Sequence, residues 1–509
     1  MSRTGADELR DAVLDRGSFT SWDDEPLAVP TSDAYTADLA AARAATGRDE
    51  AVSTGAGRIN GRRVAVIASD FDFLAGSIGV AAAERITAAV RRATAERLPL
   101  LASPSSGGTR MQEGTVAFLQ MVKIAAAVQL HKRAHLPYLV YLRHPTTGGV
   151  FASWGSLGHI TLAEPGALIG FLGPRVYEQL YGEPFPPGVQ TAENLQAHGV
   201  IDGVIPVKWL RRTCARALKV MLDEPGAAPP AVQRGSTEER RSWDRRMNPA
   251  PPVEPIPDVP AWDSVCASRR PDRPGAGFLL RHGATERVLL SGTGHGEAAT
   301  TLLALARFRG QPAVVVGQQR RAGGIVGPAA LREARRGMAL AAGLRLPLVL
   351  VIDTAGPALS AEAEQDGLAG QIAACLAELV TCEVPTVSVL LGQGSGGPAL
   401  AMVPADRVVA ALHGWLAPLP PEGASAIVYR DTGHAPQLSA AQGIRSAELK
   451  ANGIVDVIVA ERPDAADEPI DFTKRMSRVI AAELAALRAI PDEQRLAARL
   501  ERYRRIGLP

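Results

Sequence analysis

Three stretches of the chain set paired glycines directly after apolar, strand-like runs: "SPSSGGTRMQEG" (103–114), "HPTTGGVFASWG" (144–155) and "GQGSGGPALAM" (392–402). A fourth, "DTAGPALSAEAEQDG" (353–367), follows the run "LPLVLVI". Glycine lets a backbone approach its neighbour closely and adopt φ > 0. A helix that opens after such a turn leaves its first N–H groups without intrahelical partners. Donors of this kind suit a phosphate or a developing oxyanion. The chemistry on offer is therefore backbone chemistry.

Side-chain chemistries fit these stretches poorly. Gly392, Gly394 and Gly397 satisfy G-x-G-x-x-G, but a dinucleotide site needs an acid about 20 residues on to hold a ribose. Asp406 comes nine residues after Gly397, and the Gly148–Gly149 loop does not match the fingerprint. A nucleophile elbow at Ser395 would need glycine where Gln393 stands, and one at Ser156 would need glycine in place of Trp154. No G-K-[ST] follows any glycine run, so a P-loop is excluded. Only His131 and His135, in "HKRAH", have metal-ligand spacing; with no third ligand nearby they read as surface histidines of a helix, and no metal is expected.

Bulk properties narrow the class. A chain of 509 residues exceeds one typical core, so two domains are expected. Its formal net charge of +2 gives no excess of cations for nucleic acid. No apolar run nears the ~20 residues a membrane helix needs. The opening "MSRTGADELRDAVLDRG" has no apolar core of a secretory signal, which predicts a cytoplasmic location. Cys214, Cys266, Cys375 and Cys382 form no C-x-x-C and read as free thiols.

The elements that must position the glycines come in two related sets. Pro99 to Pro137 and Pro347 to Pro385 both span 38 residues, and Gly148–Gly149 and Gly396–Gly397 follow the second proline at offsets of 11 and 12 in both halves. Matching amphipathic stretches, Ala81–Pro99 and Ala330–Pro347, end at the first proline of each half and alternate with apolar β-branched runs. Such alternation means parallel β–α–β units with ligands at the strands' C-terminal ends. An α/β chain of two tandem domains from an internal duplication is predicted, 1–222 and 264–509. The Pro- and charge-rich 223–263 would form an exposed connector, its arginines Arg240, Arg241, Arg245 and Arg246 solvated beside acidic neighbours.

At these residues the chain resembles the carboxyltransferase component of biotin-dependent acyl-CoA carboxylases, acetyl-CoA carboxylase in particular. "SSGGTRMQEG" with "GALIGFLGPRVYEQL" (166–180) is similar to the bacterial β subunit. "GQGSGGPALAMVPADRVV", "PPEGASAIVYRD" (420–431) and "ELKANGIVDVIV" (448–459) are similar to the α subunit. The likeness runs over roughly 55–220 and 285–485, as if both subunits were fused. It implies a crotonase-like (ClpP/crotonase) ββα superhelix in each domain. It also implies a homo-oligomer, a dimer of active-site halves or a hexamer, in which the N-domain of one protomer faces the C-domain of another. A biotin carboxylase and biotin carboxyl carrier subunit would be its partner, carboxybiotin on the carrier its cofactor and a coenzyme A thioester its substrate. Carboxybiotin would release CO2, the biotin anion would take a proton from the acyl α-carbon, and the enolate would capture the CO2. By motif, the acyl-CoA oxyanion hole falls on Gly107, Gly108 and Thr109, and the biotin one on Gly396, Gly397 and the residue after. Gly148 and Gly149 would bind the cofactor beside them. Arg110 and Lys123 could steer the CoA phosphates, or Arg110 could pin its own loop.

Two departures from the family pattern stand out. The N-terminal zinc ribbon of the bacterial β subunit is missing, and Pro398 stands where the α subunit runs glycine–glycine–alanine, which would leave Gly396 and Gly397 as the donors. Two rival readings follow: a decarboxylase running in reverse, and a non-catalytic scaffold subunit. The C-terminal "RLAARLERYRRIGLP" shows Leu496, Leu500 and Tyr503 on one helical face, which could dock on a neighbouring subunit or on its own domain.

Overall fold

A computed structural model describes residues 4–29, 32–172, 174–225, 236–238, 255–290 and 300–508. The chain separates into two compact units, Met1–Leu218 and Lys219–Pro509. Most of the predicted connector, with its four arginines, lies outside the described residues.

In the N-terminal unit the strands are β1 (Thr20–Ser21), β2 (Val52–Ile59), β3 (Arg62–Ser69), β4 (Leu100–Ser103), β5 (Tyr138–Leu142), β6 (Thr146–Thr147), β7 (Ile160–Ala163), β8 (Ile169–Gly170) and β9 (Gly203–Val204). The main sheet runs β1-β2-β3-β4-β5-β7-β9, and β6 pairs with β8 apart from it. Its first three strands are antiparallel and the rest parallel. Asn60 and Gly61 join β2 to β3 with φ of 49° and 82°, the two positive angles that a tight two-residue hairpin demands. β5, "YLVYL", is buried at every position, as a strand covered on both faces must be. Over the sheet lies the helix Val80–Ala95, whose alanine-rich face (Ala82, Ala83, Ala89, Ala93) lets it sit close.

The C-terminal unit repeats this plan with β10 (Glu286–Leu290), β11 (Thr301–Phe308), β12 (Gln311–Gln318), β13 (Ile325–Val326), β14 (Leu348–Thr354), β15 (Gly356–Pro357), β16 (Thr386–Ser395), β17 (Arg407–Ala411), β18 (Trp415–Ala417) and β19 (Val457–Val459). The order is β10-β11-β12-β14-β16-β17-β19, with β18 on the end of β16. Arg309 and Gly310 make the matching hairpin turn, at φ of 47° and 86°. The helix Pro328–Leu344 takes the place of Val80–Ala95, with its proline at the first helical position, where no N–H is needed. The predicted helices thus exist, but they end four and three residues before Pro99 and Pro347, which shape the turn rather than closing the helix.

The final helix, Asp492–Arg505, packs on its own unit. Its buried face is made of arginines, not the predicted leucines: Arg499 is 1% exposed and Leu500 45%. Arg499 donates to both oxygens of Asp406 at 2.8 and 2.7 Å and to four backbone carbonyls of the 379–384 turn, while Tyr503 donates to the Val403 carbonyl at 2.9 Å. Asp406, tested above as a ribose acid, also accepts from the Thr386 N–H.

The histidines of "HKRAH" also differ from expectation. His131 is buried, between the Thr94 hydroxyl (2.9 Å) and the Pro137 carbonyl (3.3 Å), and His135 lies beyond the helix end at φ 59°. Burial pushes the His131 pKa down from 6.5 to about 4. Burial and nearby Lys132 push that of buried His159 to about 3. The folded chain therefore binds these protons less readily than the unfolded one, whose histidines titrate near 6.5. Stability is full above that pH and falls as pH drops from 6.5 toward 4. By pH 5 the loss should reach roughly 2 kcal/mol per histidine, and His131→Gln should flatten the dependence of the urea midpoint on pH between 7 and 5.

Candidate active site

In the N-terminal unit the two glycine loops meet backbone to backbone. A Cβ on Gly108 (φ +112°) would stand 3.4 Å from the Thr147 carbonyl oxygen and 3.6 Å from the Gly149 nitrogen. One on Gly148 (φ +62°) would stand 3.5 Å from the Gly107 oxygen. A Cβ would fit at these distances, so it is the positive φ at both positions that calls for glycine. Of the three expected donors of the first loop, two N–H groups are already bonded within the protein: that of Gly107 to the Ala75 carbonyl at 2.8 Å and that of Gly108 to the Ser106 hydroxyl at 3.0 Å. The Gly148 N–H bonds the Phe171 carbonyl at 3.1 Å. Among the described residues, Thr109 and Gly149 keep N–H groups without partners, and both are half-exposed.

The C-terminal unit builds the same junction. Gly356 (φ +141°) corresponds to Gly108: its N–H bonds the Thr354 hydroxyl at 3.1 Å as Gly108 bonds Ser106. Pro357 pairs with Val326 as Thr109 bridges to Ile78, so a residue without an N–H holds the Thr109 position. Gly396 (φ +71°) packs on Pro357, whose Cδ would be 3.0 Å from its Cβ. Gly397 is half-exposed, and its N–H has no partner among the described residues. Pro398 is buried in the first turn of the short helix Gly396–Leu400, where the missing N–H breaks no helical bond. Its carbonyl accepts from Gln318 Nε2 at 2.9 Å, and Gln318 Oε1 accepts from the Asp353 N–H at 3.1 Å. One buried amide thus ties the two loops together.

Buried charges hold both junctions. Arg110 is 1% exposed; it donates to Glu50 at 2.9 and 2.5 Å and to the Ser77 carbonyl at 2.8 Å. Despite burial, Glu50 holds its guanidinium pKa above the usual value. No phosphate can reach it, so of its two expected roles the geometry fits loop pinning. Glu113 of the same motif accepts from the Val80 N–H at 2.6 Å and from the Tyr35 hydroxyl at 2.5 Å; burial, then that bond, raises the Tyr35 pKa to about 12. Lys123, the other phosphate candidate, is ion-paired with Glu84 at the surface. In the C-terminal unit, Arg320 clamps buried Asp353 at 2.6 and 3.1 Å, and Asp353 accepts from the Gln393 N–H at 3.2 Å. Glu50, Gln318 and Arg320 escaped the sequence reading because no local motif marks them. The Pro357–Thr109 correspondence was within reach of the repeat alignment.

Residues 12–497 match the family described as carboxyl transferase domain. The "probable biotin-dependent acyl-coenzyme A carboxylase beta3 subunit" of Mycobacterium tuberculosis is 74% identical over the full length of both chains. The "acetyl-coenzyme A carboxylase carboxyl transferase subunits beta/alpha" of Salinispora arenicola is 36% identical over 99% of this chain and 91% of that one. Among solved structures, transcarboxylase 12S, described as a hexamer, superposes with a TM-score of 0.76 at 20% identity, over 96% of this chain and 90% of that one. A single-chain, multi-domain long-chain acyl-CoA carboxylase superposes at 0.70 and 18% identity, over 94% of this chain and 46% of that one. The chain belongs to the carboxyl transferase domain family, that of the carboxyltransferase subunits of biotin-dependent acyl-CoA carboxylases, and it has the crotonase-like fold.

Removing Arg110 leaves Glu50 buried without its partner. Arg110→Ala should cost about 3–5 kcal/mol, read from the urea midpoint, whereas Lys123→Ala breaks an exposed pair and should cost about 1 kcal/mol or less.

Proposed function

We propose that the chain transfers a carboxyl group from carboxybiotin, carried by a biotin carboxyl carrier subunit, to the α-carbon of a short acyl-CoA, most simply acetyl-CoA to give malonyl-CoA. The observation that carries this reading is the repeated glycine junction, built once in each unit, with no group of three or more metal-ligating side chains among the described residues. A thioester and a biotin ureido group both present a carbonyl oxygen that gains charge during reaction, and backbone N–H groups suit such an oxygen. Bound carboxybiotin supplies the activated carboxyl group. The chain's own part is to orient the two carbonyls and to stabilise charge on them, with Thr109 and Gly149 N–H on the acyl-CoA side and Gly397 N–H on the biotin side. Arg110 and Asp353 act by holding the loops.

Purified chain with its biotin carboxylase and carrier subunits should fix labelled bicarbonate onto acetyl-CoA; release of CO2 from malonyl-CoA without biotin would instead support the decarboxylase. Competition among acetyl-, propionyl- and longer acyl-CoA thioesters sets the substrate. Thr109→Pro copies at the acyl-CoA side what the repeat carries at Pro357, and loss of one donor should lower kcat about a hundredfold. The scaffold reading predicts an inactive wild type that gains activity in Pro398→Ala.

The proposed homo-oligomer draws on the helix Gly114–Arg133, where Val116, Phe118, Leu119 and Val122 stand exposed on a surface that a second copy would bury. The double variant Phe118→Glu, Val122→Glu should sediment as a smaller species than wild type while keeping its melting temperature; an unchanged mass would count against this face.

A further inference from the structure

The two cradles are unequal in what they offer an oxygen. On the N-terminal side, Thr109 and Gly149 each keep an unpartnered N–H. On the C-terminal side Pro357 holds the Thr109 position, and proline has neither an N–H nor a hydroxyl. The difference between the copies therefore removes a side-chain donor along with a backbone one.

The Thr109 hydroxyl is free where its neighbours are not. Ser105 and Ser106 on its own loop, and Thr146, Thr147 and Ser153 on the facing one, each donate to a backbone carbonyl. Thr109 Oγ1 bonds none of the described residues, and it is open to solvent: the residue is half-exposed, and its hydroxyl is not among the buried polar atoms that lack a partner. It faces the other loop. A Cβ on Gly149 would stand 3.3 Å from Thr109 Oγ1, with Cγ and Sδ of Met121 at 3.3 and 3.7 Å on the same side. Gly149 carries the second unpartnered N–H, so two amides and one hydroxyl belong to two half-exposed residues that face each other. An enolate oxygen has lone pairs beyond those that two amides take, and hydrogen bonds to a charged oxygen are about twice as strong as neutral ones. A thioester enolate is also a stronger base than a ureido anion, so the better-supplied cradle is the one whose anion needs more stabilisation.

We propose that the Thr109 hydroxyl donates to the thioester carbonyl oxygen of the acyl-CoA, as a third donor beside the Thr109 and Gly149 N–H groups. The bond is strongest once the α-proton has left and the oxygen carries the enolate charge. The hydroxyl keeps its own proton and takes none from the substrate. The placing of acyl-CoA at this cradle rests on the carboxyltransferase reading above.

Thr109→Val keeps the shape and the N–H but removes the hydroxyl, whereas Thr109→Ser keeps the hydroxyl. Three measurements on the full chain compare them with wild type: melting temperature, the infrared band of the isotope-labelled thioester carbonyl of bound acetyl-CoA, and kcat and KM for carboxyl transfer from malonyl-CoA to free biotin. The hydroxyl bonds nothing in the protein, so neither variant should lower the melting temperature. The carbonyl band should lie at lower wavenumber on wild type and Thr109→Ser than on Thr109→Val. Thr109→Val should lose about tenfold to a hundredfold in kcat with KM for biotin unchanged, and Thr109→Ser should retain most of the rate. A melting temperature lowered in Thr109→Val and restored in Thr109→Ser would mean that the hydroxyl supports the fold, and would overturn the proposal. An unmoved band or a wild-type kcat in Thr109→Val would overturn it as well. So would a Thr109→Ser as slow as Thr109→Val, which would trace the loss to shape. A wild type that transfers no carboxyl group would fail the underlying reading instead, and the carbonyl band alone would then decide whether the hydroxyl bonds an acyl-CoA.

Discussion

Everything at the candidate site depends on one contact: two strand-end loops that meet at glycines. Gly108 lies against Gly148–Gly149 and Gly356 against Ser395, and Gly108, Gly148, Gly356 and Gly396 each take a positive φ that other residues adopt at a cost. In the N-terminal unit that contact sets the unpartnered N–H groups of Thr109 and Gly149 on facing loops. A wider junction would turn each loop into a solvated turn whose donors bond water.

Glycine loops are weakly determined by themselves, so the surrounding chain has to hold them. Buried ion pairs do this in both units, by different routes. Arg110 reaches from the loop to Glu50 ahead of β2, whereas Asp353 is clamped by Arg320, which follows β12. Burying charges gains little stability over apolar packing. What these pairs provide is direction, since a bidentate guanidinium–carboxylate pair fixes two planes where a leucine would fix only a volume. Gln318, bonded to the Pro398 carbonyl and the Asp353 N–H, does the same with a neutral group.

Much of this was legible in the sequence because the duplication wrote it twice. The equal proline and glycine offsets located both junctions, and the apolar runs located the parallel strands. Which N–H groups stay free was not legible, since that depends on where Ala75, Ser106 and Phe171 fall in space. The first-loop glycines therefore read as donors, whereas the N–H groups of Gly107 and Gly108 are bonded within the protein. Arg110 looked ready for a phosphate because its partner Glu50 lies sixty residues away, with no local mark of the pairing. The C-terminal helix misled for a related reason. Leucines suggested the buried face, but a helix that docks against the carbonyl ends of a turn is better held by arginines, which carry five donors each.

Pro398 looked like a defect in a donor loop, and the fold makes it an ordinary first-turn residue. Any residue there points its N–H out of the helix's own bonding pattern, so proline costs the helix nothing and stiffens the turn. With Pro357 it strips the C-terminal junction of backbone donors that the N-terminal junction keeps. Divergence after duplication thus did not preserve a donor set residue by residue. One copy keeps two unpartnered amides, at Thr109 and Gly149; the other keeps one, at Gly397.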